Sequence, residues 1–175
     1  MKLRRLTEAD ADELVRAVTE SLAHLRPWAP WAANGYDADT AAAFLREAAD
    51  EWANGTAFPH AITVDDAIVG VATVMRRDPR DLVEIGYWLH PGHTGQGHAT
   101  AATAELVEFA FGLGGVRRVQ IWHDEANVAS SGVPRRLGFT EVERRTPSRV
   151  EPIGRRVGVD VVWELRRAEA GSRGE

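Results

Sequence analysis

Cysteine is absent, which excludes a disulfide framework, a thiol nucleophile and a thiolate-bound zinc together. Chemistry is left to Glu, Asp, His, Ser, Tyr or a bound cosubstrate. Also missing is any stretch near the roughly 18 apolar residues that a membrane span needs. The opening MKLRRLTEADADEL carries no apolar core of a signal peptide. The expectation is a cytoplasmic protein with no membrane partner. No repeat, low-complexity block or interdomain linker breaks the chain. Positive charge is not in excess either: the net charge is −5, which argues against nucleic acid as a partner. The arginine pairs Arg135-Arg136, Arg144-Arg145, Arg155-Arg156 and Arg166-Arg167 read as solvated strand and helix edges.

What is present is ordinary globular usage, 44% apolar and 27% charged over 175 residues, a length that suits one domain. That domain is expected over 1–167, with a disordered tail over 168–175. A strand at Lys2 to Leu6 leads to Thr7 and Asp10, spaced as a helix start. Leu14, Val15, Val18, Leu22 and Leu25 then recur at helical intervals. RPWAPWAANGYDADT follows as a loop, and Asp39 or Thr40 is placed to cap a second helix carrying Phe44, Leu45, Ala48 and Trp52. FPHAITV and AIVGVATVM, separated by Asp65-Asp66, predict a hairpin, and LVEIGYWL another strand. A helix from about His98 to Phe111, stopped by GLGG, and the strand VRRVQIW complete a strand, helix, strand unit. Such a unit predicts a parallel pair with a right-handed crossover. A last helix fits Val128 to Leu137, closed by Gly138, and two strands are expected near Thr140 to Val150 and Val157 to Leu165.

The loop HPGHTGQGHATAATAEL sets a glycine-rich turn against a helix start. Bare backbone N–H groups and the positive end of a helix dipole together suit an anion, diphosphate above all. The spacing is not that of a P-loop, because Gly97 is followed by His98-Ala99 rather than Lys-Ser/Thr. Nor is it a dinucleotide fingerprint, because Gly95, Gly97 and Thr100 give GxGxxT.

Gly95-Gln96-Gly97 resembles the second half of the acyl-CoA loop of the GCN5-related N-acetyltransferases, Gln/Arg-x-x-Gly-x-Gly/Ala at a strand-to-helix junction. Gly92 stands at the loop's first position and Thr94 where relatives often carry arginine, so one cationic phosphate contact is lost. Thirty residues on, NVASSGVPRRLGF (Asn127 to Phe139) is similar to the family's second signature, Asn-x-x-Ser followed by Leu-Gly-Phe. HLRPWAPWA, EIGYWLHP and the C-terminal pattern narrow the resemblance to the Rim-type ribosomal-protein alanine and serine acetyltransferases, over roughly residues 1 to 167.

The resemblance implies an α/β (α+β) fold with a central, mostly antiparallel mixed sheet, a splayed parallel strand pair and about four flanking helices. It implies acetyl-CoA as acyl donor, with the pantetheine arm between EIGYWL and VRRVQIW near Leu89. The diphosphate would sit on the amides from Gly92 through Thr94, Gly95, Gln96, Gly97 and His98 to Ala99. The implied reaction is acetylation of an amine, a protein N-terminus first and a possible homodimer included. An antibiotic or polyamine acceptor, a succinyl-type donor and a non-catalytic acyl-CoA-binding module stay as alternatives.

Acyl transfer needs a neutral amine and a proton for the leaving thiolate. At pH 7 an α-amine of pKa about 8 is roughly a tenth neutral, against about four parts in ten thousand for lysine. Glu84, mid-strand in LVEIGYWL, is the candidate base, directly or through water; the other reading is an outward-facing glutamate on a half-exposed strand. Many relatives use a tyrosine as acid where this chain has Pro134. The resemblance gives that part to Ser130, ahead of Ser131; Ser130 otherwise opens the helix by bonding backbone. Asn127 caps the same helix or binds the pantetheine arm. Trp28, Trp31, Tyr36 and Tyr87 are acceptor-site candidates, and Asp160 a candidate for holding an ammonium group. His90, His93 and His98 match no standard zinc spacing, so no metal is expected.

Overall fold

The structure, a computed structural model, describes residues 1–146, 148 and 154–168. Seven strands form one sheet: β1 (Lys2–Arg5), β2 (Ala57–Val64), β3 (Ala67–Arg77), β4 (Leu82–Leu89), β5 (Arg118–Asp124), β6 (Thr140–Arg145) and β7 (Asp160–Arg166). Their order is β1-β2-β3-β4-β5-β7-β6, and the β4/β5 pair is parallel while the others are antiparallel. Four α-helices flank it: α1 (Ala11–Leu25), α2 (Ala38–Asn54), α3 (His98–Gly112) and α4 (Val128–Arg136). No described helix is long and apolar enough to cross a membrane.

Strand alternation divides the core. Ala61 and Val71 pack with Leu14, Ala17 and Leu45 from α1 and α2. Their chain neighbours Ile62 and Ala72 join Val83, Ile85, Val119 and Ile121 beneath Ala102, Leu106 and Ala110 of α3. Successive side chains of a strand point to opposite faces, so α1 and α2 cover one face of the sheet and α3 the other. Small residues at Ala102 and Ala110, both fully buried, let α3 lie close against the strands.

The helix starts follow local hydrogen bonding. Asp10 accepts the Thr7 N–H at 2.8 Å as the spacing predicted, and it also pairs with Arg4. For α2 the capping expectation is corrected. The cap is Asp37, whose extended backbone lets Oδ1 accept the Thr40 N–H at 2.8 Å, while Asp39 lies inside the first turn. β6 ends at Arg145, short of the expected Val150; Pro147 and residues 149–153 lie outside the described residues, as do 169–175 of the expected tail. β7 begins at Asp160 rather than Val157, because the Val157 and Gly158 N–H groups donate to the Asp124 carboxylate instead of to a ladder.

The parallel ladder is short. Leu82 pairs with Arg118, Val83 with Val119 and Glu84 with Gln120, and there it stops. β4 continues to Leu89 and β5 to Asp124, so past Glu84 the two strands part. β4 keeps β3 on its other side through Leu89, which leaves its β5-facing peptide groups from Ile85 onward without a strand partner. In a folded interior such groups need an acceptor or donor from elsewhere.

Candidate active site

The gap between β4 and β5 opens into a cleft of about 1500 Å³. Glu84, Gly86 and Trp88 from β4, Thr73 and Met75 from β3, and Trp122 and Asp124 from β5 line it on the α1/α2 side of the sheet. The start of α3 and the start of α4 close its other end.

At the α3 end, Gly95 and Gly97 adopt φ values of +73° and +83°, and Gly97 is the N-cap. A side chain would strain both positions. The first ladder bond of α3 runs from the Ala101 N–H to Gly97 O, so the N–H groups of His98, Ala99 and Thr100 have no intrahelical acceptor. Those of Gly95, Gln96 and Gly97 meet no acceptor among the described residues either. The expected cradle is narrower than the sequence reading: the Gly92 N–H donates to His90 Nδ1 at 3.1 Å, and those of His93 and Thr94 to His90 O and Pro91 O. Gly92 and Gln96 do not line the cleft; the Gln96 amide donates to Gly92 O at 2.9 Å and ties the loop shut.

A cation stands here that sequence reasoning missed. Arg136, in the last turn of α4, donates from Nε to Thr100 Oγ1 at 3.1 Å and lines the cleft beside the α3 start. Its chemistry supplies what Gly92 and Thr94 lack, a positive charge beside a nest of amides. The group fits an anionic donor such as acetyl-CoA, whose arm would run along the unpaired edge of β4 toward Leu89. Thr94, His98 and Ala99 also line this end.

Glu84 sits at the apex of the splay and is 6% exposed. The Arg77 guanidinium donates from Nε to its Oε2 at 3.0 Å, which gives the buried carboxylate a countercharge from β3. The outward-facing alternative therefore fails: Glu84 points into the cleft face.

Tyr87 and Ser130 meet across it. The Tyr87 hydroxyl lies 3.3 Å from Ser130 Oγ and donates to Ser130 O at 3.2 Å. Burial pushes the phenol above its ordinary value, with the Ser130 bond and the Arg136 charge pulling partly back. It is therefore neutral and able to donate. Asn127 caps α4, its side chain accepting from the Ser130 N–H at 3.4 Å. Ser131 is buried with its hydroxyl committed to Val128 O at 2.8 Å, and Pro134 is buried in the helix.

Beyond Glu84 the cleft is aromatic. Trp31, 48% exposed, has its ring 6.1 Å from Tyr36 and 6.3 Å from Trp88, and Trp28 lies on the same wall. Burial pushes the Tyr36 phenol up to about 12. Asp160 does not line the cleft. It is 3% exposed, and its Oδ1 accepts from Ser148 Oγ at 2.6 Å and from Arg156 at 3.3 Å. Its charge is met inside the β7 corner, which corrects the expectation that it faces an ammonium group. His90, His93 and His98 lie ring by ring, edge-on and then tilted, at 5.8 and 6.1 Å between ring centroids. Among the described residues no group of three or more His, Asp or Glu is arranged to hold a metal ion.

A family model described as an acetyltransferase (GNAT) domain matches residues 1–140. A candidate ribosomal N-acetyltransferase of Bacillus subtilis (strain 168), YdaF, is 28% identical over 141 residues, covering 79% of this chain and 77% of that protein. Among solved structures, the microcin C7 self-immunity acetyltransferase MccE with acetyl-CoA and AMP superposes with a TM-score of 0.86 at 19% identity, over 94% of this chain and 91% of that one. The ribosomal L7/L12 acetyltransferase RimL with coenzyme A gives 0.84 at 21% identity, over 94% and 92%. RimJ of Mycobacterium smegmatis gives 0.84 at 24%, over 96% and 82%. These structures share the fold. With the family model spanning most of its length, the chain belongs to the GNAT acetyltransferase family and is an acyl-CoA-dependent N-acetyltransferase.

Proposed function

We propose that the protein transfers an acetyl group from acetyl-CoA to the α-amine of a protein or peptide N-terminus. The observation that carries this is the joint geometry of the splay: a nest of free amides on one side, and a buried carboxylate at its apex facing an aromatic channel on the other. The likeness to YdaF points to the same acceptor class.

Acetyl-CoA supplies the activated acyl thioester. The amides from Gly95 to Thr100 and the Arg136 guanidinium hold its diphosphate. Glu84, directly or through a water, takes the proton that the attacking amine releases as the C–N bond forms. The Tyr87–Ser130 hydroxyl pair donates a proton to the departing sulfur. Asn127 fixes the start of α4, and with it Ser130. Because an α-amine is roughly a tenth neutral at pH 7, a carboxylate suffices as base, with no metal in the scheme. Trp28, Trp31 and Trp88 form the walls that the acceptor enters along, while Tyr87, expected among them, is engaged with Ser130.

The test is thiol release with acetyl-CoA, succinyl-CoA and free CoA as ligands, against peptides with free or blocked N-termini, lysine side chains and small amines. Release that depends on a free α-amine supports the proposal. Faster turnover of a polyamine or antibiotic amine replaces it with the small-molecule reading. Preference for succinyl-CoA changes the donor, and donor binding without release on any amine reduces the protein to an acyl-CoA-binding module.

A further inference from the structure

We infer that Arg155 selects acceptors with a carboxylate close behind the amine, which for a peptide means Asp or Glu within its first few residues. This deepens the N-terminal reading and rests on it. Arg155 lines the acceptor end of the cleft, is exposed, and holds its guanidinium 5.9 Å from the centre of the Trp28 ring. A guanidinium at that distance from an indole is drawn to the ring, and its edge N–H donors stay available for a planar, two-oxygen partner.

The neighbouring chain holds it there. Arg156 has a side chain only 9% exposed and donates to Trp28 O at 3.4 Å and to Ser148 Oγ at 2.9 Å. Gly154, at φ +53°, is packed so that a Cβ would come within 2.7 Å of Pro27 Cα. Both sides of Arg155 are thus pinned to the Pro27-Trp28 turn.

The charge on Arg155 is the part left over. Asp124 spends its carboxylate on the N–H groups of Ala126, Val157 and Gly158, and its side chain is 0% exposed. Asp160 answers Arg156, and Glu84 answers Arg77. Arg4, Arg16, Arg118, Arg144, Arg145 and Arg166 each have a carboxylate within ion-pair distance, whereas among the described residues Arg155, like Arg136 at the donor end of the cleft, has none. In a protein of net charge −5, an arginine with no carboxylate partner among the described residues, set over an indole on the wall of a substrate channel, is a recognition group for an anion. Its neighbour on that wall, Arg156, is already engaged by Asp160 and Ser148.

The experiment compares three peptides that differ only at the second residue, Ser-Glu, Ser-Gln and Ser-Lys, each with a blocked C-terminus. They are assayed with saturating acetyl-CoA at about 50 mM salt. A second arm uses a small amino acid and its amide. The expected result is a kcat/KM about fivefold higher for Glu than for Gln, expressed in KM and shrinking toward unity at about 0.5 M salt as the charges are screened. Arg155→Ala abolishes the Glu-to-Gln ratio, Arg155→Lys keeps part of it, and Arg155→Glu inverts it in favour of Ser-Lys. Thermal melts of the variants confirm that an exposed site has been altered without unfolding.

Equal kcat/KM across the three peptides overturns the inference, as does an acid preference that survives in Arg155→Ala. If all peptides are inert while small amines react, the N-terminal reading has failed, and the amino acid against its amide decides the role of Arg155 by the same ratio. If nothing reacts, titration of the CoA complex with the Glu and Gln peptides decides it, and equal affinity counts against it.

Discussion

Arg136→Ala removes the cation that, among the described residues, touches the first turn of α3. The guanidinium is tied to Thr100, the third residue of that helix, by a 3.1 Å bond, so a diphosphate lying on the Gly95 to Thr100 amides is within reach of it. At solvent-like dielectric a unit charge about 4 Å away contributes about 1 kcal/mol. A second phosphate charge a few ångströms farther off adds about 0.6 kcal/mol, and ionic screening trims the sum to about 1.4 kcal/mol, a tenfold change in Kd. Arg136 is exposed, so the higher figures for buried charge pairs do not apply. Calorimetric titration with CoA at about 50 mM salt should show the Kd rising about tenfold in Arg136→Ala and less in Arg136→Lys. At about 1 M salt, where the Debye length is about 3 Å, the difference should shrink below about twofold. Pantetheine, which has no phosphate, should bind both proteins alike. An unchanged Kd for CoA, or an equal loss for pantetheine, refutes the assignment of Arg136 to the phosphates.

Glu84→Gln should keep the Arg77 contact through the amide oxygen, and so the fold, while kcat falls about 100-fold at pH 7; the deficit should narrow toward pH 9, where the acceptor amine deprotonates unaided, and a full rate at pH 7 would make Glu84 a structural ion-pair partner. Ser130→Ala and Tyr87→Phe should each lower kcat with little change in the Kd of CoA. Because the two hydroxyls act as one pair 3.3 Å apart, the double variant should be no slower than the slower single one; multiplying deficits would show that they act separately. His60 is packed between Trp52 and Phe109 with its ring 5.2 and 5.3 Å from theirs, and burial lowers its pKa. Burial lowers that of His123 as well. A depressed folded value means that the unfolded chain binds the proton first, so the stability from these neutral rings is complete above about pH 6.5 and is lost as pH falls through the folded values. Urea unfolding between pH 7.5 and 5 should show that decline, and it should be shallower in His60→Phe, which keeps the ring contacts without the proton; parallel curves would refute it.

The amino-acid sequence determined a good deal of this. Periodicity in LVEIGYWL and ATAELVEFAF sufficed for β4 and α3, because alternation and helical spacing are local properties that a core merely exploits. Gly95 and Gly97 announced a strand-to-helix anion site because left-handed backbone is encoded in the residue type. Even the Thr7–Asp10 start was legible, since a capping box is closed within four residues. For α2 the spacing pointed to Asp39 or Thr40, and the backbone chose Asp37.

What only tertiary structure decided are contacts between residues far apart in the chain. Arg136 read as the second member of a solvated arginine pair; its reach to Thr100 exists because α4 packs beside α3. Asp160 sat in a strand pattern with nothing to show that Arg156 and Ser148 would consume its charge. The pairing of Tyr87 with Ser130 spans 43 residues, and it needs α4 to sit over β4. Above all, the splay that makes the cleft is not a property of either strand. β4 and β5 each have residues enough to continue their ladder, and the ladder ends at Glu84 and Gln120. Residue type and spacing set which groups are available locally, while the divergence of two packed strands sets which of them face one another with a substrate between.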